Sequence, residues 1–135
     1  MTRLTVAVIL SVIFAVIVAG CSTTSTSTAP ATATDTATFI SAANNCQATN
    51  LTVTNSVGTF SYESTPDCTL LKTLVKMNGT EMPEIKTMLE GKSMVCGYTK
   101  GNFDSRWVTT LIGGMETCHG PLRDGLAQLI IFTSS

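Results

Sequence analysis

His119 is the one histidine in the chain, and its ordinary pKa near neutrality makes it the natural centre for acid–base or nucleophilic chemistry. Such chemistry needs a positioned partner. The neighbouring carboxylates, Glu116 and Asp124, flank a helix boundary, and no Gly-x-Ser-x-Gly or similar nucleophile motif accompanies them. A capping or surface histidine is the simpler reading. The cysteines Cys46, Cys68, Cys96 and Cys118 offer three further chemistries, each with a spacing requirement. A redox pair uses Cys-x-x-Cys, which the sequence lacks. Zinc sites use close pairs of cysteine or histidine, and His119 directly follows Cys118, an adjacency poorly suited to one shared ion. Met115-Glu116-Thr117-Cys118-His119 has methionine where a c-type haem attachment needs its first cysteine. Met77, Met82, Met88, Met94 and Met115 could offer soft ligands to copper(I), but they are spread over several elements and read as core filling. No metal and no cofactor is expected.

Cys21 belongs to a different context. Arg3 precedes Leu4 to Val18, an apolar run broken only by Thr5 and Ser11, which is the pattern of a secretory leader. As a helix this run spans about 23 Å, short of the roughly 30 Å hydrocarbon core. It ends at Val18-Ala19-Gly20-Cys21, which resembles the lipobox of bacterial and archaeal lipoproteins, an apolar residue and two small ones before an obligatory cysteine. The resemblance implies that the Cys21 thiol carries a diacylglyceryl-type lipid and that cleavage leaves Cys21 as the mature N-terminus. Small residues let the backbone enter a protease cleft, and only a thiol forms the thioether. Two acyl chains give stable anchoring where one would be marginal. The implied location is the outer face of the cell membrane, or an outer membrane in a double-membrane bacterium. Ser22 stands where an aspartate would have resembled a retention signal, so the target membrane stays open.

From Ser22 to Thr38 the chain is nearly all Ser, Thr and Ala, a composition that cannot form a core. As a flexible coil it reaches roughly 20 to 25 Å. The expected division is residues 1–20 as leader, 21–38 as lipidated cysteine and tether, and 39–135 as domain. Asn50-Leu51-Thr52 and Asn78-Gly79-Thr80 match the N-glycosylation acceptor at Asn50 and Asn78. With the Thr-rich stalk they tilt the reading towards an archaeal lipoprotein.

With Cys21 committed to lipid, four cysteines remain, and an even number outside the membrane reads as two disulfides. Three pairings can be drawn, and loop entropy, about 3 to 4 kcal/mol per bridge, does not choose among them. We favour Cys46 with Cys68 and Cys96 with Cys118, two local loops of equal spacing.

Positioning elements follow from periodicity and end signals. Asp35 caps a first helix with Phe39, Ala42 or Ala43, and Cys46 on one face. Leu51–Thr54 and Thr59–Tyr62 alternate around Asn55–Gly58 and predict a β-hairpin. Thr65-Pro66-Asp67 reads as a helix start, with Leu70, Leu71, Leu74 and Val75 as its stripe and Asn78-Gly79 as its stop. Glu81-Met82-Pro83 opens another helix carrying Ile85, Met88 and Leu89, ended by Gly91. Lys92 to Thr99 predicts a strand. Trp107, Val108, Leu111, Ile112 and Met115 recur with helical period, weakened at Gly113-Gly114 by about 1 kcal/mol per glycine. Pro121 opens a last segment that fits either a helix or an edge strand.

Together these predict a small α+β domain, disulfide-stapled, with a β-hairpin and several short helices. The net charge of −1, about −2 once Arg3 leaves with the leader, provides no footprint for nucleic acid. Alternating Glu and Lys between residues 76 and 92 reads as a solvated face. Trp107, Tyr62 and Tyr98 could form an aromatic platform, although core packing is the simpler reading. The function expected is a membrane-anchored, extracytoplasmic, non-enzymatic module that binds an envelope protein or a small ligand, with membrane lipid as its partner at Cys21. The alternative is a small surface enzyme or redox accessory using His119 or a labile cysteine pair.

Overall fold

The computed structural model describes residues 30–79 and 82–133, so Cys21, the leader and the first part of the tether lie outside the described residues. Six strands form one sheet in chain order: β1 (Ala31–Thr32), β2 (Thr49–Thr54), β3 (Gly58–Ser64), β4 (Thr69–Met77), β5 (Ser93–Gly97) and β6 (Cys118–His119). β1 runs parallel to β2, and the others form an antiparallel meander. A parallel pair needs a crossover. α1 (Thr36–Asn44) provides it, with Asp35 accepting the Thr38 amide at 2.7 Å as its N-cap. The remaining helices are α2 (Pro83–Leu89), α3 (Arg106–Thr109) and α4 (Pro121–Thr133), with a short 3-10 turn at Met115–Thr117. The α+β class and the hairpin of β2 and β3 match the sequence expectation.

Strand alternation sorts the sheet into two faces. Leu51, Phe60, Tyr62, Leu70, Lys72, Leu74, Met94 and Cys96 are buried on one of them, where Phe39 of α1, Trp107 of α3 and Leu122 and Leu126 of α4 complete the core. The opposite face carries Asn50, Thr52, Ser61, Glu63, Leu71, Thr73, Ser93, Val95 and His119, none of them buried. Among the described residues no helix covers it. Cross-strand hydroxyl pairs line part of it, with Thr73 and Ser93 at 2.8 Å and Thr54 and Thr59 at 3.0 Å.

Three sequence expectations are corrected. Residues 31–38, assigned to the tether, belong to the fold: Ala31–Thr32 form β1, Ala33 is buried, and Thr36 already starts α1. The stretch expected as a helix from Pro66 is strand β4. Thr65-Pro66-Asp67-Cys68 is a turn closed by the Cys68 amide donating to the Thr65 carbonyl at 3.1 Å, and the Thr65 amide donates to Thr69 at 3.0 Å. Proline and aspartate suit the central positions of a type I turn as well as they suit a helix start. Cys68, at φ 55, takes the left-handed position that usually follows such a turn in a hairpin. Leu70, Lys72 and Leu74 then share the buried face at period two.

The helical period over 107–115 yields only the single turn of α3. The Lys72 ammonium donates to the carbonyls of Trp107, Thr110 and Leu111 at 2.9, 3.0 and 3.2 Å, so the Trp107 carbonyl that would continue the helix serves a side chain instead. Thr110 is extended, and its hydroxyl accepts from the Gly113 amide at 2.8 Å. The last segment resolves as helix α4, opened by Pro121.

Cys46 bridges to Cys68 and Cys96 to Cys118, with Cα separations of 4.7 and 4.1 Å. Cys46 sits at φ 53 just past α1, its amide donating to Ala43 and the next, of Gln47, to Ala42. This is the Schellman ending that normally takes glycine. The first bridge therefore locks a helix end to a hairpin turn, and the second joins directly paired positions of β5 and β6.

Candidate binding cleft

Three segments meet beside the second bridge and enclose a cleft of about 300 Å³. Gly97, Tyr98 and Thr99 come from the end of β5, Asn102, Asp104, Arg106 and Trp107 from the turn into α3, and Gly114, Glu116 and Thr117 from the 3-10 turn before β6. The volume is at the lower limit for small-molecule sites.

Each wall is anchored from behind. The Asn44 carbonyl at the end of α1 accepts the Gly101 amide at 2.8 Å, and the Asn44 side-chain oxygen accepts Phe103 N–H at 3.1 Å. Tyr98 donates its hydroxyl to Ala43 at 2.9 Å, and burial pushes its phenol pKa up. Its ring meets Phe103 and Trp107 at centroid distances of 5.1 and 5.8 Å, and Phe103 meets Trp107 edge-on at 5.3 Å. These aromatic contacts build a rigid floor. The third wall is held by Trp107, whose indole N–H donates to the Gly114 carbonyl at 2.6 Å. Gly114 has φ 75, and a Cβ there would lie 2.6 Å from both an Asp104 oxygen and the Trp107 nitrogen. Glycine alone permits both the left-handed backbone and this approach.

Asp104 and Arg106 form a fork: the guanidinium Nε donates to both carboxylate oxygens at 3.0 Å and Nη2 donates to one at 2.6 Å. Hydrogen bonds from Arg106 hold the Asp104 carboxyl below the usual carboxylate range, while Asp104 in turn keeps the guanidinium charged. The pair is thus internally compensated. Asn102 donates its amide to the Thr99 hydroxyl at 2.9 Å. Among the described residues, the Glu116 carboxylate, the Thr117 hydroxyl, the Asn102 side-chain oxygen and Arg106 Nη1 make no hydrogen bond. The rim therefore presents acceptors and donors together.

The residues singled out from sequence fall elsewhere or play other parts. His119 is exposed on β6, at the end of a cross-strand row with Val95 and Leu71, and makes no side-chain hydrogen bond with Glu116 or Asp124. Asp124 pairs with Arg123 instead, at 3.2 Å. Met77, Met94 and Met115 are core residues, Met88 is partly buried and Met82 is exposed. Among the described residues no group of three or more His, Cys, Asp or Glu is placed to hold a metal ion. Of the aromatic trio, Tyr62 and Trp107 are buried and form no exposed platform, and Trp107 supports the cleft from within. Asn50 lies on the open sheet face. Asn78 donates its side-chain amide to the carbonyls of Asn55 and Ser56 at 3.1 and 2.7 Å, bracing the β2–β3 turn.

Sequence reasoning passed over Lys72, which is 1% exposed. Its three protons go to three carbonyls, and its ammonium lies 5.4 Å from the Phe60 ring centroid and 5.7 Å from that of Tyr62. Burial lowers it to about 8 from the usual 10.5. The available signal was a lysine at period two between Leu70 and Leu74.

No family model, curated protein or solved structure matches the chain.

Proposed function

We propose that the protein is an extracytoplasmic binding module, held at the outer face of a membrane by lipid on Cys21, whose ligand-contacting part is the cleft around Arg106 and Glu116. The observation that carries the binding part is the rim itself. Asn102, Arg106, Glu116 and Thr117 line one cleft over a braced aromatic floor, and each has a polar group that makes no hydrogen bond among the described residues, an arrangement suited to holding a ligand. His119 makes no hydrogen bond to Glu116 or Asp124, which favours binding over acid–base chemistry. The anchoring part rests on the lipobox resemblance, and the Ser/Thr/Ala-rich stretch is the spacer it implies.

Two measurements test this reading. A clickable fatty acid fed to producing cells should label the protein and follow the membrane fraction, and Cys21→Ala should lose both label and membrane association. Retention of Cys21→Ala in the membrane would sink the lipid anchor. Photo-cross-linkers placed at Thr117 should then capture cell-surface material more efficiently than cross-linkers placed at Ser56, on the β2–β3 turn at the opposite end of the sheet. Equal capture at both would remove the cleft from the proposal.

A further inference from the structure

We infer that the cleft recognises a neutral, hydroxyl-rich ring, such as a pyranose unit of a surface glycan. The inference rests on the binding-module reading and names the ligand class of the same site.

Charge narrows the class first. Arg106 is already neutralised by Asp104, so its fork is not available to grip a carboxylate or phosphate in the bidentate manner that makes arginine an anion receptor. Glu116 leaves the lining with a net charge of −1, which opposes anions. A cation would find only one carboxylate not already occupied. What remains on offer is a balanced set: Arg106 Nη1 as donor, Glu116 and the Asn102 oxygen as acceptors, and the Thr99 and Thr117 hydroxyls as either. Vicinal hydroxyl groups, each donor and acceptor at once, satisfy such a set without carrying charge. Beneath them the part-buried ring of Tyr98, backed by the buried Trp107, supplies the apolar surface that the C–H side of a sugar ring can cover. About 300 Å³ suits a single ring with water around it.

Rigidity fits the same chemistry. A ligand with so few atoms gains little in total, so the site must lose little order on binding. The fork, the Asn102–Thr99 bond and the Trp107–Gly114 bond fix the walls before any ligand arrives.

The test is a titration of the full chain in a micelle of non-glycosidic detergent, followed by NMR. The sequence has one tryptophan, so the Trp107 indole N–H is an unambiguous reporter inside the cleft. The probes are the methyl glycosides of mannose, galactose and N-acetylglucosamine, with glycine and inorganic phosphate as charged comparators, each up to about 50 mM. A single-ring ligand of ordinary efficiency binds near about 1 mM, well inside that range. At least one glycoside should shift the indole resonance saturably. Glu116→Ala and Asn102→Ala should each weaken that binding about fivefold or more, and His119→Ala should leave it unchanged. Shifts from glycine or phosphate with none from the glycosides would overturn the saccharide assignment. So would saturable glycoside shifts that survive both substitutions, or no shift from any probe. Surface cross-linking through Thr117 in the presence of such a result would leave the module reading standing with a different ligand, so the two failures are distinguishable.

Discussion

Lys72 should give the protein an alkaline stability maximum. The ammonium is buried without a carboxylate and donates to three backbone carbonyls. Burial lowers its pKa to about 8, while in the unfolded chain it returns to about 10.5. Between these values the unfolded chain binds the extra proton, so raising the pH stabilises the fold. The difference corresponds to about 3 kcal/mol, present as a cost below pH 8 and relieved by pH 10.5. Tyr62 acts in the opposite sense, because burial pushes its phenol up to about 12 and the unfolded chain loses that proton first above about pH 10. Stability should therefore rise from pH 8, peak near about pH 10 and then fall. Lys72→Met removes the charge and leaves three carbonyls without a donor. At about 1.5–3 kcal/mol per charged hydrogen bond, partly recovered by water at Thr110 and Leu111 and offset by the relieved burial cost, the net loss at pH 7 is about 2–4 kcal/mol. Urea unfolding of a soluble form starting at Ser22 and carrying Cys21→Ser, from pH 6 to 11, reads both effects. A wild-type profile that is flat or falling between pH 8 and 10, or a Lys72→Met profile that keeps the rise, would refute the reasoning.

Other perturbations have equally definite outcomes. Gly114→Ala should lower stability by about 2 kcal/mol or more and shift the Trp107 indole resonance, because the new Cβ collides with Asp104 and Trp107 in a left-handed backbone; an unperturbed indole signal would argue against that contact. The two bridges close loops of the same sequence separation, 22 residues, so their entropic contributions are equal at about 3 kcal/mol. Cys46→Gly with Cys68→Gly should nonetheless cost less than Cys96→Ala with Cys118→Ala, since glycine relieves two left-handed positions by about 1 kcal/mol each while the buried pair leaves a cavity; calorimetry that ranks them in reverse would contradict this. Asn78→Ala should cost about 1–2 kcal/mol through the loss of both bonds to the β2–β3 turn, measured by urea unfolding, whereas Asn50→Ala, on the open face, should stay within about 0.5 kcal/mol.

Several elements were legible because local chemistry and tertiary packing agree on them. Asp35 caps α1, Pro83 starts α2, and alternation marks β2 and β3, whereas the last segment fitted a helix or an edge strand until its packing as α4 decided it. β4 was not legible, because Pro66-Asp67 serves a turn as readily as a helix start and the leucines fit both periods. The deciding residue was Lys72, whose buried partners belong to a segment far along the chain. The same partners end α3 after a single turn, which no periodicity over 107–115 could reveal. The cleft was hidden for a related reason. Its walls come from three segments joined by Cys96–Cys118 and by the close approach at Gly114; Glu116 stood out beforehand only as a partner for His119, and Trp107 and Tyr98 only as a platform, a role that the structure moves from the surface to the floor.

The parallel strand β1 determines how the domain would bear a pull from its N-terminal side. Force entering at Ala31 meets a two-residue edge strand first, and such a strand can be peeled from β2 one bond at a time. α1 would unravel next. At Cys46 the load passes through a covalent bond into the β3–β4 turn, so the yielding length stops at roughly 50 Å of extended chain. Beyond that point tension bears on the central hairpin directly. The N-terminal part of the domain would thus serve as a short shock absorber with a hard stop, and because Ala43 and Asn44 at the end of α1 brace Tyr98, Gly101 and Phe103, the cleft would feel the pull once the last turn of that helix gives way.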